Sequence, residues 1–278
     1  MIVLSHFQTR PLLAARQQPV TVQLSPDLGL TTVEAQVREG GIIFPTGERV
    51  TWEALERITE TENQCFLVTP EGIESIQTFS PVTNWARSLL ATASAPTTVV
   101  AGFPMHRIQG TDPLRDTRAK LAAIAPVTGQ VLDTATGLGY TAIEAARTAE
   151  QVTTIELDPA AIELARLNPW SQALFDAPRI AIRIGDATEV IEEFADRSFA
   201  RIIHDPPIFS LAGDLYSRAF YAQLYRVLSA KGRLFHYIGD LSSSSGQRVA
   251  AGVVRRLQEV GFQRVARHAE AFGVVAFK

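Results

Sequence analysis

The chain has 278 residues, of which 46% are hydrophobic and 20% charged, and its formal net charge is -3. This composition excludes disorder and leaves room for one full α/β domain with a smaller companion. The single cysteine, Cys65, excludes an internal disulfide, and no apolar run approaches the roughly 18 residues of a membrane span. Because residues 1–10 also lack the pattern of a secretory signal, we expect a cytoplasmic protein with no membrane partner.

Charge is nearly balanced along the chain. Up to Asp112 there are 7 Lys and Arg against 11 Asp and Glu, and from Pro113 onward there are 19 against 18. Proteins that hold long nucleic acids by their phosphates usually concentrate basic residues. The balance therefore disfavours a large RNA or DNA partner without excluding one.

The first part of the chain is predicted to be rich in short strands. Strand-like runs at 20–24, 33–37, 41–44 and 65–68 are separated by turn signals, and a short helix is predicted at 52–58. A second helix is predicted at 84–93 and a strand at 97–102. We place a small β-rich domain at residues 1–104 and the start of a second domain at residue 105.

The second domain, residues 105–278, alternates helices and strands. Helices are predicted at 116–125, 141–149, 159–167, 189–194, 217–228 and 247–260, and strands at 131–133, 152–156, 180–184, 200–204 and 233–238. This order predicts an α/β fold with a mostly parallel sheet covered on both faces. Strands at 262–267 and 273–277 are expected to form an antiparallel hairpin at its end.

The residues that follow these strands indicate a ligand site, because ligands of such sheets bind beyond the carboxyl ends of the strands. The turn after the first strand contains Gly137 and Gly139, which also match a dinucleotide fingerprint. A carboxylate at Asp133 is unfavourable beside a pyrophosphate and favourable beside a cation. Glu156 and Asp186 end the next two strands, and the ordered acids favour a cationic adenosyl ligand over NAD.

These motifs resemble those of a known superfamily. Asp133-x-x-x-Gly137-x-Gly139, Glu156, Gly185-Asp186-Ala187 and Asp205-Pro206-Pro207 are similar in order to the motifs of class I S-adenosylmethionine-dependent methyltransferases. Four segments are similar to predicted archaeal and bacterial methyltransferases: 111–113, 132–140, 167–170 and 204–209. The likeness covers about residues 105–278.

The resemblance implies S-adenosylmethionine as cofactor and assigns roles to the matching residues. The glycine turn passes the methionine part with Asp133 near its amino group, Glu156 binds the ribose, and Asp186 meets the adenine. Asp112 closes over the cofactor from the preceding segment. The whole predicted cofactor set is Asp112, Asp133, Thr134, Gly137, Gly139, Tyr140, Glu156, Leu157, Asp186, Ala187 and Asp205.

The segment after the fourth strand resembles the D/N-P-P-Y/F signature of methyltransferases that act on planar amines, with Phe209 one place later than usual. Such an amine must pyramidalise as positive charge builds on its nitrogen. Asp205 and the carbonyl of Pro206 are suited to accept its hydrogens, while Pro207 stiffens the turn. We therefore predict Asp205, Pro206, Pro207 and Phe209 as the catalytic set, with Phe209 stacking on the acceptor.

Other candidates are weaker. His204 and His236 lie in predicted strands near the same edge, where a hydrogen-bonded core role competes with proton transfer. The spacing of His, Cys and acidic residues predicts no metal site.

Three functions remain open on the sequence alone. The first is N-methylation of an amine, either an exocyclic base amine in RNA or a small molecule. The second is aminopropyl transfer of the spermidine synthase type, and the third is a noncatalytic adenosyl-binding interaction module. The first domain could grip substrate, cover the site or form a homodimer.

Overall fold

The computed structural model describes residues 1–14, 16, 21–207 and 212–278. They form two compact units, Met1–Leu114 with Ala160–Gln172 and Arg115–Pro159 with Ala173–Lys278. The domain division at residue 105 stays a prediction. Among the described residues, no helix is both long and apolar enough to cross a bilayer.

The described strands and helices have the following bounds. The strands are β1 (Val3–Leu4), β2 (Thr21–Leu24), β3 (Val33–Arg38), β4 (Gly41–Ile43), β5 (Arg49–Thr51), β6 (Phe66–Thr69), β7 (Gly72–Ser75), β8 (Gln77–Ser80), β9 (Trp85–Leu90), β10 (Thr97–Val100), β11 (Phe103–Pro104), β12 (Gln130–Asp133), β13 (Gln151–Glu156), β14 (Ile180–Ile184), β15 (Phe199–His204), β16 (Leu228–Tyr237), β17 (Arg264–His268) and β18 (Gly273–Phe277). The helices are α1 (His6–Leu13), α2 (Trp52–Glu60), α3 (Pro113–Ala123), α4 (Tyr140–Ala145), α5 (Pro159–Arg166), α6 (Gln172–Asp176), α7 (Ala187–Val190), α8 (Arg218–Val227) and α9 (Ser244–Glu259), with 3₁₀ turns at Pro169–Ser171, Ile191–Glu193 and Gly213–Tyr216.

The first unit is rich in antiparallel strands, as the sequence predicted. Its three sheets have the orders β1-β6-β7, β2-β3-β4-β5 and β11-β10-β9-β8. One apolar core joins the first two sheets with α1 and α2, and it includes Leu4, Leu55 and Ile58, all fully buried. The unit is therefore held by a core of its own.

The helix predicted at 84–93 is wrong, because this segment contains strand β9. It pairs with β8 on one side and with β10 on the other. Arg87 and Leu89 are buried and alternate with less buried neighbours, which is the period of two of a strand. Pairing with two neighbouring strands overrides a local pattern that suited either structure.

The second unit contains the predicted parallel sheet. Its order is β14-β13-β12-β15-β16-β18-β17, in which β14 to β16 run parallel and β18 is antiparallel to both of its neighbours. Ile202, Leu224 and Leu234 belong to the core that helices build against this sheet. The α/β fold with a C-terminal antiparallel hairpin is confirmed.

The strand order reverses between β12 and β15. These two strands are parallel neighbours, and Asp133 at the end of β12 pairs in register with Ile203. Ligands of open α/β sheets bind at such a reversal, beyond the carboxyl ends of the strands. The fold thereby brings the residues after Asp133 beside those after His204.

Candidate functional site

The glycine turn follows β12 and leads into α4. Gly137 and Gly139 have φ values of 52° and 76°, a conformation that residues with a Cβ rarely adopt. A Cβ on Gly139 would lie 2.6 Å from Cδ2 of Leu174, whereas a Cβ on Gly137 would meet no atom within 4 Å. Gly139 is therefore required by packing, and Gly137 borders open space where a ligand fits.

Asp133 is completely buried at the base of this turn. Its Oδ2 accepts hydrogen bonds from the hydroxyls of Thr141 at 2.8 Å and Thr154 at 3.2 Å. Its Oδ1 has no hydrogen-bond partner among the described residues. Burial raises the pKa of Asp133 to about 7, the charge of Asp205 adds to the rise, and the two hydroxyls oppose it. A cationic group placed nearby would restore the ionised form.

Glu156 at the end of β13 braces the glycine turn. Its Oε2 accepts from the backbone N–H of Gly137 at 2.9 Å, and its Oε1 accepts from that of Asp158 at 3.0 Å. A carboxylate has about four acceptor positions, so both oxygens can also accept from a ligand. The adjacent Leu157 is 48% exposed, an unusual state for a large apolar side chain at a strand end.

The end of β14 lies beside the end of β13. Gly185 donates its N–H to the carbonyl of Glu156 at 2.9 Å. Asp186 caps α7, because its Oδ1 accepts from the N–H of Thr188 at 2.8 Å and from its hydroxyl at 2.7 Å. Ala187 is buried in the first turn of that helix. The predicted cofactor residues Glu156, Asp186 and Ala187 thus lie at the ends of two adjoining strands.

The fourth acidic position, Asp205, directly follows β15. Its side chain is 16% exposed, and its Oδ2 accepts from Nζ of Lys120 at 2.6 Å. Burial raises the pKa of Asp205, and the Lys120 ammonium opposes that rise. The pKa of Asp205 stays above its ordinary value, and its carboxylate can still accept a hydrogen bond from a ligand.

Lys120 is a site residue that the sequence analysis missed. Its side chain is 1% exposed, and its Nζ also lies 2.7 Å from Oδ2 of Asp116 one turn earlier in α3. The ammonium lies 4.6 Å from the centre of the Tyr237 ring. Although burial lowers the pKa of Lys120, Asp205 and Asp116 hold it above its ordinary value. The ammonium is therefore charged within the site.

Hydrogen bonds join the turn around Asp205 to the 3₁₀ turn Gly213–Tyr216. Tyr216 donates its hydroxyl to the carbonyl of Pro207 at 3.1 Å. His204 is completely buried, and its Nε2 lies 2.9 Å from the carbonyl of Leu215. Because a carbonyl can only accept, Nε2 carries the proton and Nδ1 accepts from the hydroxyl of Thr134 at 2.7 Å. His204 thus joins the glycine turn to the residues that follow the Pro-Pro turn.

Neither buried histidine is set up as a proton carrier near neutral pH. Burial lowers the pKa of His204 to about 3 and that of His236 well below its ordinary value. Nε2 of His236 lies 2.8 Å from the Tyr221 hydroxyl. Both histidines act as neutral hydrogen-bonding core residues.

Three sequence predictions have a different status. Asp112 lies in the first unit, where its Oδ1 accepts from the N–H of Leu114 at 3.0 Å. Its role at the cofactor stays a prediction. Phe209 lies outside the described residues, and so does the predicted stacking contact. Tyr140 is described, and it is buried at the start of α4.

The site as a whole carries negative charge. Asp116 and Asp205 both pair with Lys120, and the charge of Asp205 also acts on Asp133. Among the described residues, no group of three or more His, Cys, Asp or Glu side chains could hold a metal ion. The arrangement suits a cationic organic ligand at the glycine turn and a hydrogen-bond donor at Asp205.

Comparison with known proteins supports this interpretation. The family described as "Methyltransferase small domain" matches residues 115–241. "Uncharacterized protein MJ1233" of Methanocaldococcus jannaschii is 42% identical over 237 residues, which cover 84% of this chain and 80% of that protein.

Two solved structures share the fold. A spermidine synthase in complex with the transition-state analogue AdoDATO is 19% identical, with a TM-score of 0.60 over 72% of this chain and 71% of that chain. MnmC2 from Aquifex aeolicus is 20% identical, with a TM-score of 0.52 over 68% and 70%.

The family match places residues 115–241 in a class I S-adenosylmethionine-dependent methyltransferase domain. The chain as a whole belongs to the same family as the M. jannaschii protein.

Proposed function

We propose that the protein is an S-adenosylmethionine-dependent methyltransferase that methylates an amine nitrogen held by Asp205 and Pro206. The observation that carries this proposal is the pair of acids at the strand reversal. Asp133 has a buried oxygen with no partner, and Asp205 is the ion-paired acid at the end of the neighbouring strand. One acid suits a cationic cofactor and the other suits an amine acceptor.

The described residues fit the cofactor. Its amino group would lie near Asp133, its ribose hydroxyls would donate to Glu156, and its adenine amine would donate to Asp186. When bound, S-adenosylmethionine supplies a methyl group on a positively charged sulfur. The negative charge of the site stabilises a ligand of that charge, and Gly137 leaves room for it beside the turn.

Asp205 and Pro206 then act on the acceptor. In the transfer, a bond from the nitrogen to the methyl carbon would form as the carbon–sulfur bond breaks and a neutral thioether leaves. Positive charge would pass from the sulfur to the nitrogen, which would then release one proton to water. Asp205 stabilises the charge as an acceptor, and the carbonyl of Pro206 fixes the second amine hydrogen. Tyr216 and His204 hold the turn in place, and correct alignment is the larger contribution to methyl transfer.

The acceptor is an exocyclic base amine in RNA or an amine of a small molecule. The lack of a strongly basic half supports the small molecule. A cytoplasmic location agrees with either acceptor.

Aminopropyl transfer is the second candidate. Two observations favour it: the fold shared with the spermidine synthase and a site whose negative charge suits a polyamine. The single-glycine spacing of the turn differs from the glycine-rich turn of that group. Calorimetry with S-adenosylmethionine and with its decarboxylated form separates the two, since a methyltransferase prefers the first.

The test of the proposed function is transfer of labelled methyl from S-adenosylmethionine into fractionated cellular RNA, proteins and small molecules. We expect label in an amine-containing fraction, and a loss of roughly 10²- to 10³-fold in turnover for Asp205→Asn. Cofactor affinity should stay within a few-fold, because Asp205 lies on the acceptor side. Near-wild-type turnover of Asp205→Asn would refute the catalytic assignment. Binding of S-adenosylmethionine with no transfer of label into any fraction would instead support a noncatalytic adenosyl-binding module.

A further inference from the structure

The buried lysine beside Asp205 calls for a physical explanation. Lysine is almost never fully buried unless it is paired, because removing its ammonium from water is costly. Here the Lys120 side chain is 1% exposed, and it contacts Asp116 at 2.7 Å and Asp205 at 2.6 Å. One acid would be enough to compensate the buried charge of a lysine with a purely structural role. Lys120 pairs with two, and the second acid lies at the end of β15, outside its own helix.

Asp116 is the partner that seats the lysine. It lies one turn before Lys120 in α3, and its side chain is fully buried. The Tyr237 ring from β16 provides a second contact for the ammonium at 4.6 Å. With its helix partner and this ring in place, the ammonium has a fixed position from which to meet Asp205.

The contact with Asp205 uses one particular oxygen. Lys120 donates to Oδ2 of Asp205, so Oδ1 is the oxygen that keeps more of its acceptor capacity for a substrate. The ionisation of Asp205 depends on every charged group that faces it. These groups are Lys120, which favours the carboxylate, and Asp116 and Asp133, which disfavour it; the phenol of Tyr216 also faces it.

We infer that Lys120, seated by Asp116, is a positioning residue that keeps Asp205 ionised and directs its Oδ1 to the methyl acceptor. This inference rests on the proposed function and deepens it. Asp205 then accepts a hydrogen bond from a neutral amine, the form whose lone pair can attack the methyl carbon.

Two variants test the inference because they should shift the acidic limb of the kcat/KM profile in opposite directions along the pH axis. Lys120→Met removes the cation, so the acidic limb of the kcat/KM profile should rise by about one to three pH units. Asp116→Asn removes a neighbouring negative charge but keeps an amide oxygen that can still accept from Lys120 and hold it beside Asp205, so the limb should move to lower pH. A merely structural role would lower kcat at every pH in both variants and leave the limb in place, and that result would overturn the inference.

The control is Arg118→Met, which removes a cation from the same helix. Arg118 is 58% exposed and lies 3.9 Å from Glu144. Its loss changes the net charge as Lys120→Met does, and the profile should stay within a few tenths of a pH unit of wild type.

A measurement without turnover separates this inference from the proposed function. In the full chain labelled with ¹³C at the aspartate carboxyls, the Asp205 signal, identified with Asp205→Asn, should titrate at higher pH in Lys120→Met than in wild type. That shift with no detectable methyl transfer would sink the proposed function and leave the ionisation by Lys120 in place. Methyl transfer with an unmoved Asp205 titration would overturn the role of Lys120.

Discussion

Asp133→Asn tests whether the buried acid at the base of the glycine turn destabilises the ligand-free protein when it is ionised. The pKa of Asp133 is about 7 in the folded protein against an ordinary value of 3.8, with burial as the main cause. Between these values the folded state binds more protons than the unfolded state, so its stability falls as pH rises from about 4 to 7. At about 1.4 kcal/mol per pKa unit, the full loss above pH 7 is about 4 kcal/mol.

The asparagine variant removes this pH-dependent loss. Its amide leaves a buried donor unsatisfied, which costs about 1–3 kcal/mol at every pH. Between pH 5 and pH 8, wild type should therefore lose roughly 2.5 kcal/mol relative to the variant, or several degrees in melting temperature.

Differential scanning fluorimetry at pH 5, 6, 7 and 8 measures this difference. Asp196→Asn is the control, because it also removes one negative charge but from a side chain that is 73% exposed. We expect the melting temperature of Asp133→Asn to rise relative to wild type as pH increases, and that of Asp196→Asn to follow wild type. If the melting temperature of Asp133→Asn differed from that of wild type by the same amount at all four pH values, the destabilising effect of ionising Asp133 would be refuted.

Two further predictions concern the same turn. The affinity for S-adenosylmethionine should fall by up to about tenfold per pH unit below pH 7, because Asp133 must lose its proton to pair with a cation. Calorimetry from pH 5.5 to 8 measures this dependence. An affinity that does not change with pH would contradict it. Gly139→Ala should lower the melting temperature more than Gly137→Ala, because only the Cβ at position 139 would collide with Leu174. Gly137→Ala should weaken cofactor binding more than Gly139→Ala. The reverse order of these effects would show that the two glycines have been assigned wrongly.

Much of the second unit could be predicted from the sequence because its signals are local. Each of β12, β13, β14 and β15 is a short strand-forming run that ends in an acid or is followed directly by an acid or a glycine, and the alternation with helices predicts a parallel sheet. The predicted acids Asp133, Glu156 and Asp186 do lie on adjoining strand ends for this reason.

The buried lysine could not be predicted in the same way. Asp116 and Lys120 are spaced as an ordinary exposed helical pair, and only packing of α3 beside β15 and β16 buries them. Strand β9 was mistaken for a helix although its partners β8 and β10 are its neighbours in sequence, because the mixture of apolar and polar residues in this segment suited either structure.

One missed element did leave a signal. Helix α1 begins with a capping box, in which Ser5 and Gln8 bond reciprocally across the first turn. Serine followed three residues later by glutamine predicts a helix start. Pro11 inside the helix masks that pattern.

The most direct measurement is calorimetric titration of S-adenosylmethionine into the full chain at pH 7.5, beside Glu156→Gln as a matched variant. Saturable binding at one site per chain is expected, with an affinity about 10- to 100-fold weaker for Glu156→Gln. This variant loses the charge on the carboxylate that accepts from Gly137 and that we propose accepts from the ribose. No heat of binding to the folded wild-type chain, or equal affinity for the variant, would contradict the cofactor site at the carboxyl ends of these strands.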